Sequence, residues 1–104
     1  MLEKPDYQAF SDKAFAFRRD QWMRNLMISD LPSGAKVVGL RLALYMNGAK
    51  EFAHPPYDKL GSACNLSARQ AQTHVFKLEE ARWLFVEHVR NRGNRYRLRY
   101  WWDE

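Results

Sequence analysis

Apolar residues recur along this chain at two periods, and the change between them falls near Ala81. From about Tyr7 to Ile28 there is no glycine or proline. Phe10, Ala14 and Phe17 repeat there at helical spacing, as do Trp22-Met23 with Leu26-Met27. The segment reads as one helix, or as two with Ser11-Asp12 capping a second start. Asp30-Leu31-Pro32-Ser33-Gly34 interrupts it, and a further helix is expected from about Ser33 to Met46. Val37, Val38, Leu40, Leu42, Leu44 and Tyr45 would supply its core face, and Asn47-Gly48 a left-handed stop. Glu51-Phe52-Ala53-His54 fits a short strand. Pro55-Pro56 leads into a brief helix from Tyr57 to about Ala63, with Leu60 inward, and Cys64-Asn65-Leu66 forms a turn.

The next helix carries the strongest local signal. Ser67 is a good N-cap, and Gln70 three residues on completes a capping box. Through Ala81, one side of this helix holds Ala71, Val75, Leu78 and, beyond it, Arg82; Arg69, Gln72, Thr73 and Phe76 project the other way. The period then becomes two. Leu84, Val86 and His88 alternate with Phe85, Glu87 and Val89, and Asn91-Arg92-Gly93-Asn94 is a turn signal. Tyr96, Leu98 and Tyr100 then alternate with Arg95, Arg97, Arg99 and Trp101. This is a β-hairpin with one apolar face and one rich in guanidinium.

At 104 residues the chain suffices for one modest core. A hydrophobic share of 46% places it among globular proteins and not among disordered tails. The formal charge of +5 favours a polyanionic partner, or a merely soluble basic protein, and its distribution matters more than its size. Arg90, Arg92, Arg95, Arg97 and Arg99 fall within ten residues that hold no acid. Solubility alone does not account for that. Cys64 is the only cysteine, so no intramolecular disulfide forms and a reducing compartment is expected. Met1-Leu2-Glu3-Lys4-Pro5-Asp6 lacks the apolar core of a signal peptide, and no run approaches a membrane span, so a cytoplasmic protein is expected. His54, His74, His88 and Cys64 lack zinc-ligand spacing. There is no phosphate loop, nucleophile motif or catalytic carboxylate pair, so no enzyme activity, metal or cofactor is expected.

The order helix, short helix, tight turn, helix, hairpin between Leu31 and Tyr100 resembles the winged helix-turn-helix family of phage and plasmid replication proteins and small bacterial regulators. The resemblance rests on Leu31-Pro32-Ser33-Gly34-Ala35-Lys36, Pro56-Tyr57-Asp58-Lys59-Leu60, Asn65-Leu66-Ser67-Ala68-Arg69-Gln70, Lys77-Leu78-Glu79-Glu80-Ala81-Arg82-Trp83-Leu84 and Asn94-Arg95-Tyr96-Arg97-Leu98. Two positions depart from the family pattern: a glycine is usual at Arg82 and a β-branched residue at Ala71. The resemblance implies an α+β fold, with residues 1–30 as an N-terminal helical extension and 31–104 as the DNA-binding domain.

Double-stranded DNA is the expected partner, with Ser67, Arg69, Gln70, Gln72, Thr73 and Lys77 as contacts on the helix. Arginine suits guanine edges, glutamine adenine, and threonine a phosphate or a thymine methyl. Arg90, Arg92, Asn94 and Arg95 are the expected contacts at the wing tip, where an arginine can enter the minor groove. Arg97 and Arg99 are expected to pair with acids such as Glu87. Phe76 is out of place on a groove-reading face: it can pack beneath the first helix, contact a thymine methyl or touch a partner, and the first of these is slightly preferred. His74 reads as an interior or boundary histidine, and Trp101-Trp102 as a cap on the core or a self-association contact. A homodimer is expected through the N-terminal segment, with Phe10, Phe17 and Trp22 as contacts. Transcriptional regulation is the leading function; replication initiation on a plasmid or phage, and a winged helix used for protein–protein contact, are the alternatives.

Overall fold

A computed structural model describes residues 7–89 and 93–104, and side chains from residue 12 onward. One helix, α1 (Tyr7–Met27), opens it, so Ser11-Asp12 starts no second helix. Its buried stripe is Phe15, Trp22 and Leu26, spaced i, i+7 and i+11, and differs from the expected Phe10–Ala14–Phe17 row. Ala14 is exposed and Phe17 is 73% exposed, while the Phe10 side chain lies outside the described residues. Apolar residues occur at four successive positions from Ala14 to Phe17, so more than one face fits a helical period; packing selects one.

Helix α2 (Ser33–Leu44) buries Ala35, Val38, Gly39, Leu42 and Ala43. Val37, Leu44 and Tyr45, expected in the core, are exposed. Gly39 is where α1 and α2 cross: a Cβ there would lie 2.7 Å from Leu26 Cδ2 and 3.2 Å from the Trp22 ring. The helix exit is capped from α1, since Arg19 Nη1 donates to the Met46 carbonyl at 2.7 Å. Asn47 and Gly48 are not left-handed as expected. Instead Asn47 Oδ1 accepts the Ala49 and Lys50 N–H groups, each at 2.9 Å, and makes a side-chain-closed turn. The strand expected at residues 51–54 is a single antiparallel bridge, with Ala53 and Tyr96 exchanging N–H···O bonds of 2.9 and 2.7 Å.

Helix α3 (Tyr57–Ala63) and α4 (Ala68–Glu80) follow, joined by a turn in which Asn65 takes φ 57°. Gly61 permits the close approach, because a Cβ there would stand 2.7 Å from the carbonyl oxygens of Leu66 and Ser67. Beyond α4 the chain leaves through a Schellman motif: Trp83 N–H donates to Leu78 O at 2.9 Å and Arg82 N–H to Glu79 O at 3.1 Å. Arg82 therefore lies outside the helix, at φ 67°, in the position that favours glycine. A non-glycine residue holds this left-handed position at a backbone cost of about 1 kcal/mol. Ala71 is fully buried despite its small side chain.

Strands β1 (Leu84–Val89) and β2 (Gly93–Leu98) pair antiparallel, with Leu84 opposite Leu98 and Val86 opposite Tyr96 on the core side. The sheet has these two strands, and the isolated Ala53–Tyr96 bridge lies on the free edge of β2. A 3-10 turn, Trp101–Asp103, ends the chain and packs its tryptophans edge-on against Trp83. Trp22 is fully buried, meets Trp83 edge-on at 5.8 Å, and donates from Nε1 to the Trp83 carbonyl at 3.0 Å. It cannot serve as a dimer contact. The second half of α1 is thus part of the one core, and packing is continuous across residue 30.

Candidate nucleic-acid interface

The capping box predicted at Ser67 is formed in full: Gln70 N–H donates to Ser67 Oγ at 3.0 Å and Ser67 N–H to Gln70 Oε1 at 2.9 Å. Two orphan donors of the first turn are satisfied, which fixes where α4 begins. Both oxygens are occupied by the cap, so Gln70 has its amide NH₂ left to offer a ligand. Ala71, Val75 and Leu78 face the core, and Arg69, Gln70, Gln72, Thr73 and Lys77 are all exposed. Thr73 turns its hydroxyl back on the helix, donating to the Arg69 carbonyl at 3.0 Å. Phe76 does not pack beneath the first helix; it is 60% exposed in the middle of the outward face.

His74 sits at the edge of this helix, half-buried against α2, and a Cβ on Gly34 would fall 2.3 Å from its Nε2. Burial, and then the nearby Lys77 charge, hold its pKa below the ordinary histidine value. It is a neutral boundary histidine, as its position in the sequence suggests.

The wing differs more from expectation. Asn94 is half-buried, and its Nδ2 donates to the Tyr57 hydroxyl at 2.6 Å, tying the hairpin to the start of α3. Its amide NH₂ is engaged within the protein. Burial raises the pKa of the neighbouring Tyr96 phenol, which stays neutral within this group. Arg99 does not pair with Glu87. It binds the Glu104 carboxylate with two hydrogen bonds, of 2.7 and 2.5 Å, and its guanidinium also lies over Phe85. Asp103 likewise folds back to pair with Arg18. Arg90 and Arg92 lie outside the described residues.

Arg95 and Arg97 are exposed on the outer sheet face, and both lie over the Phe52 ring, at 4.5 and 5.7 Å from its centroid. Lys50 joins them at 5.2 Å. Three cations around one ring attract its electron density but repel one another. Among the described residues none of Lys50, Arg69, Lys77, Arg95 and Arg97 has an acid within ion-pair distance. The sequence reading missed Lys50 and Phe52. They are some forty residues from the wing in the chain, and only the Ala53–Tyr96 bridge brings them to it. The signal available was the aromatic flanked by a lysine in the segment expected to be a strand.

Two helices joined by a tight turn, a capped second helix with a polar outer face, and a cationic hairpin beside it define a winged helix-turn-helix module. A family model described as a helix-turn-helix domain matches residues 29–84, more than half of the chain. The chain belongs to the helix-turn-helix domain family. No curated protein and no solved structure matches it. Among the described residues no group of His, Cys, Asp and Glu is arranged to hold a metal ion, and no helix is long and apolar enough to cross a membrane.

Proposed function

We propose that this protein binds double-stranded DNA in a sequence-dependent way and acts as a transcriptional regulator. The observation that carries the reading is the outer face of α4, where Arg69, Gln72 and Thr73 project from a rigidly capped helix with their cation unpaired by protein. In this reading α4 lies in the major groove, and Arg69 and Gln72 meet base edges. Ser67, Gln70 and Lys77 flank the groove at the phosphates. Arg95, with Lys50 and Arg97 beside it, neutralises backbone phosphates; Arg90 and Arg92, on sequence grounds, serve the wing tip. Two half-sites read by a homodimer would give the length of sequence that one helix cannot. Phe17, 73% exposed on α1, is the contact we assign to that dimer.

A salt titration with random duplex DNA tests the reading. Affinity should fall steeply as salt rises, and Arg95→Ala should flatten the slope by about one. Arg69→Ala should relax the preferred sequence as well as weaken binding by about 1–3 kcal/mol. Salt-independent or absent binding would sink the proposal. Sedimentation of the wild type and Phe17→Ser tests the dimer: a mass unchanged by the substitution removes Phe17 from it.

A further inference from the structure

Arg69, Gln72, Thr73 and Phe76 stand at i, i+3, i+4 and i+7 on α4, diametrically opposite Ala71, Val75 and Leu78. That is the spacing with which a helix in the major groove presents side chains to bases. The first two are polar and suited to hydrogen-bonding base edges. The other two are not suited to that task. The Thr73 hydroxyl proton is already given to the Arg69 carbonyl, so toward the groove this side chain offers its methyl group and acceptor lone pairs. Phosphate oxygens, being acceptors themselves, gain nothing from it. Phe76, about two helical turns beyond Arg69, adds an exposed ring with no polar atom. Alongside both runs a shallow hollow of about 480 Å³ lined by Leu31, Thr73, Phe76, Lys77, Glu80 and Ala81.

Only one feature of the major groove is apolar: the C5-methyl group of thymine, shared by 5-methylcytosine. A polar base edge pressed against a phenyl ring would lose water without gaining a partner. We infer that Phe76, with the Thr73 methyl beside it, is a specificity-determining residue that reads the C5-methyl of a pyrimidine in the preferred DNA site. The inference rests on the DNA-reading role proposed for α4. It explains why a large apolar side chain occupies the middle of a face that is otherwise polar.

Replacing thymine by uracil removes that methyl and leaves the base pair intact, which makes the test direct. The preferred duplex is first selected from a random library with wild-type protein. Each thymine is then changed singly to uracil, and each cytosine to 5-methylcytosine, and affinities are compared. One or two thymine-to-uracil changes should weaken wild-type binding about three- to fivefold, the worth of one buried methyl. Phe76→Ala should bind thymine and uracil duplexes equally, with unchanged thermal unfolding because the ring is exposed, and Phe76→Leu should keep the discrimination. A gain with 5-methylcytosine at the same position, once thymine is replaced, assigns recognition to the methyl and not to the thymine ring. A preferred duplex indifferent to every thymine-to-uracil change overturns the inference and leaves the DNA reading standing. Discrimination that survives in Phe76→Ala also overturns it. If no duplex is preferred at all, the DNA reading fails and the inference falls with it.

Discussion

Helix α4 and the hairpin that follows it hold their polar side chains under different conditions. On α4, Arg69, Gln72 and Lys77 extend into solvent from a helix whose other face is fixed in the core. On the hairpin, Asn94 is bound to Tyr57, Arg99 to Glu104, and Arg95 and Arg97 rest on Phe52. The helix therefore presents a ready surface, whereas part of the hairpin's chemistry already serves the fold. Of the described arginines of the wing, Arg99 is already committed to Glu104. Arg95 and Arg97, helped by Lys50 from a distant loop, are its usable charges among the described residues.

Removing what both regions share should have the largest effect. Trp22→Ala empties a fully buried indole site and strips a hydrogen bond from the Trp83 carbonyl just before β1. It should cost about 3–5 kcal/mol in urea unfolding, with α4 and the hairpin melting together. A loss below about 1 kcal/mol would show that α1 is only appended to the core.

Gly61→Ala is aimed at the helix side alone. The new Cβ would press on two backbone carbonyls, which cannot swing aside as a side chain could. A loss of about 1–3 kcal/mol is expected, with amide shift changes concentrated at residues 64–70. Changes spread equally over the hairpin would contradict a local effect.

The smallest change separates the hairpin. Asn94→Ala removes the bond to Tyr57 and should lower stability by about 1 kcal/mol. Because Asn94 faces the protein, the DNA affinity of the folded variant should not change. A loss of about tenfold would restore Asn94 to the contact set.

How far the sequence could be read follows the same division. The α4 boundaries were legible because capping is local: Ser67 and Gln70 meet within one turn, and no distant residue is needed. The short helix Tyr57–Ala63 and the hairpin were likewise marked by flanking prolines and by a change of period. In α1 the apolar residues wrap too far around the helix for period alone to choose Phe15, Trp22 and Leu26 over Phe10, Ala14 and Phe17. Val37 and Leu44 were misjudged in α2 for the same reason.

Of the candidate site, the exposed residues of α4 could be named from the chain, since helix geometry fixes which side chains oppose a buried stripe. Phe76 falls on that face too, but the pattern alone leaves packing beneath the first helix, which the structure does not show, beside contact with a base or a partner. The pairings of the hairpin could not be read, because Tyr57, Glu104 and Phe52 reach it only through the tertiary fold. The sequence by itself determined the order of the helices from Ser33 onward and the hairpin, the capped helix and the excess of positive charge, all of which depend on residue types and spacings within a few positions. Only the tertiary structure decided which arginines stay available, that Trp22 belongs to the core, and that Phe76 meets water. Those outcomes depend on contacts between residues far apart in the chain, which no local period encodes.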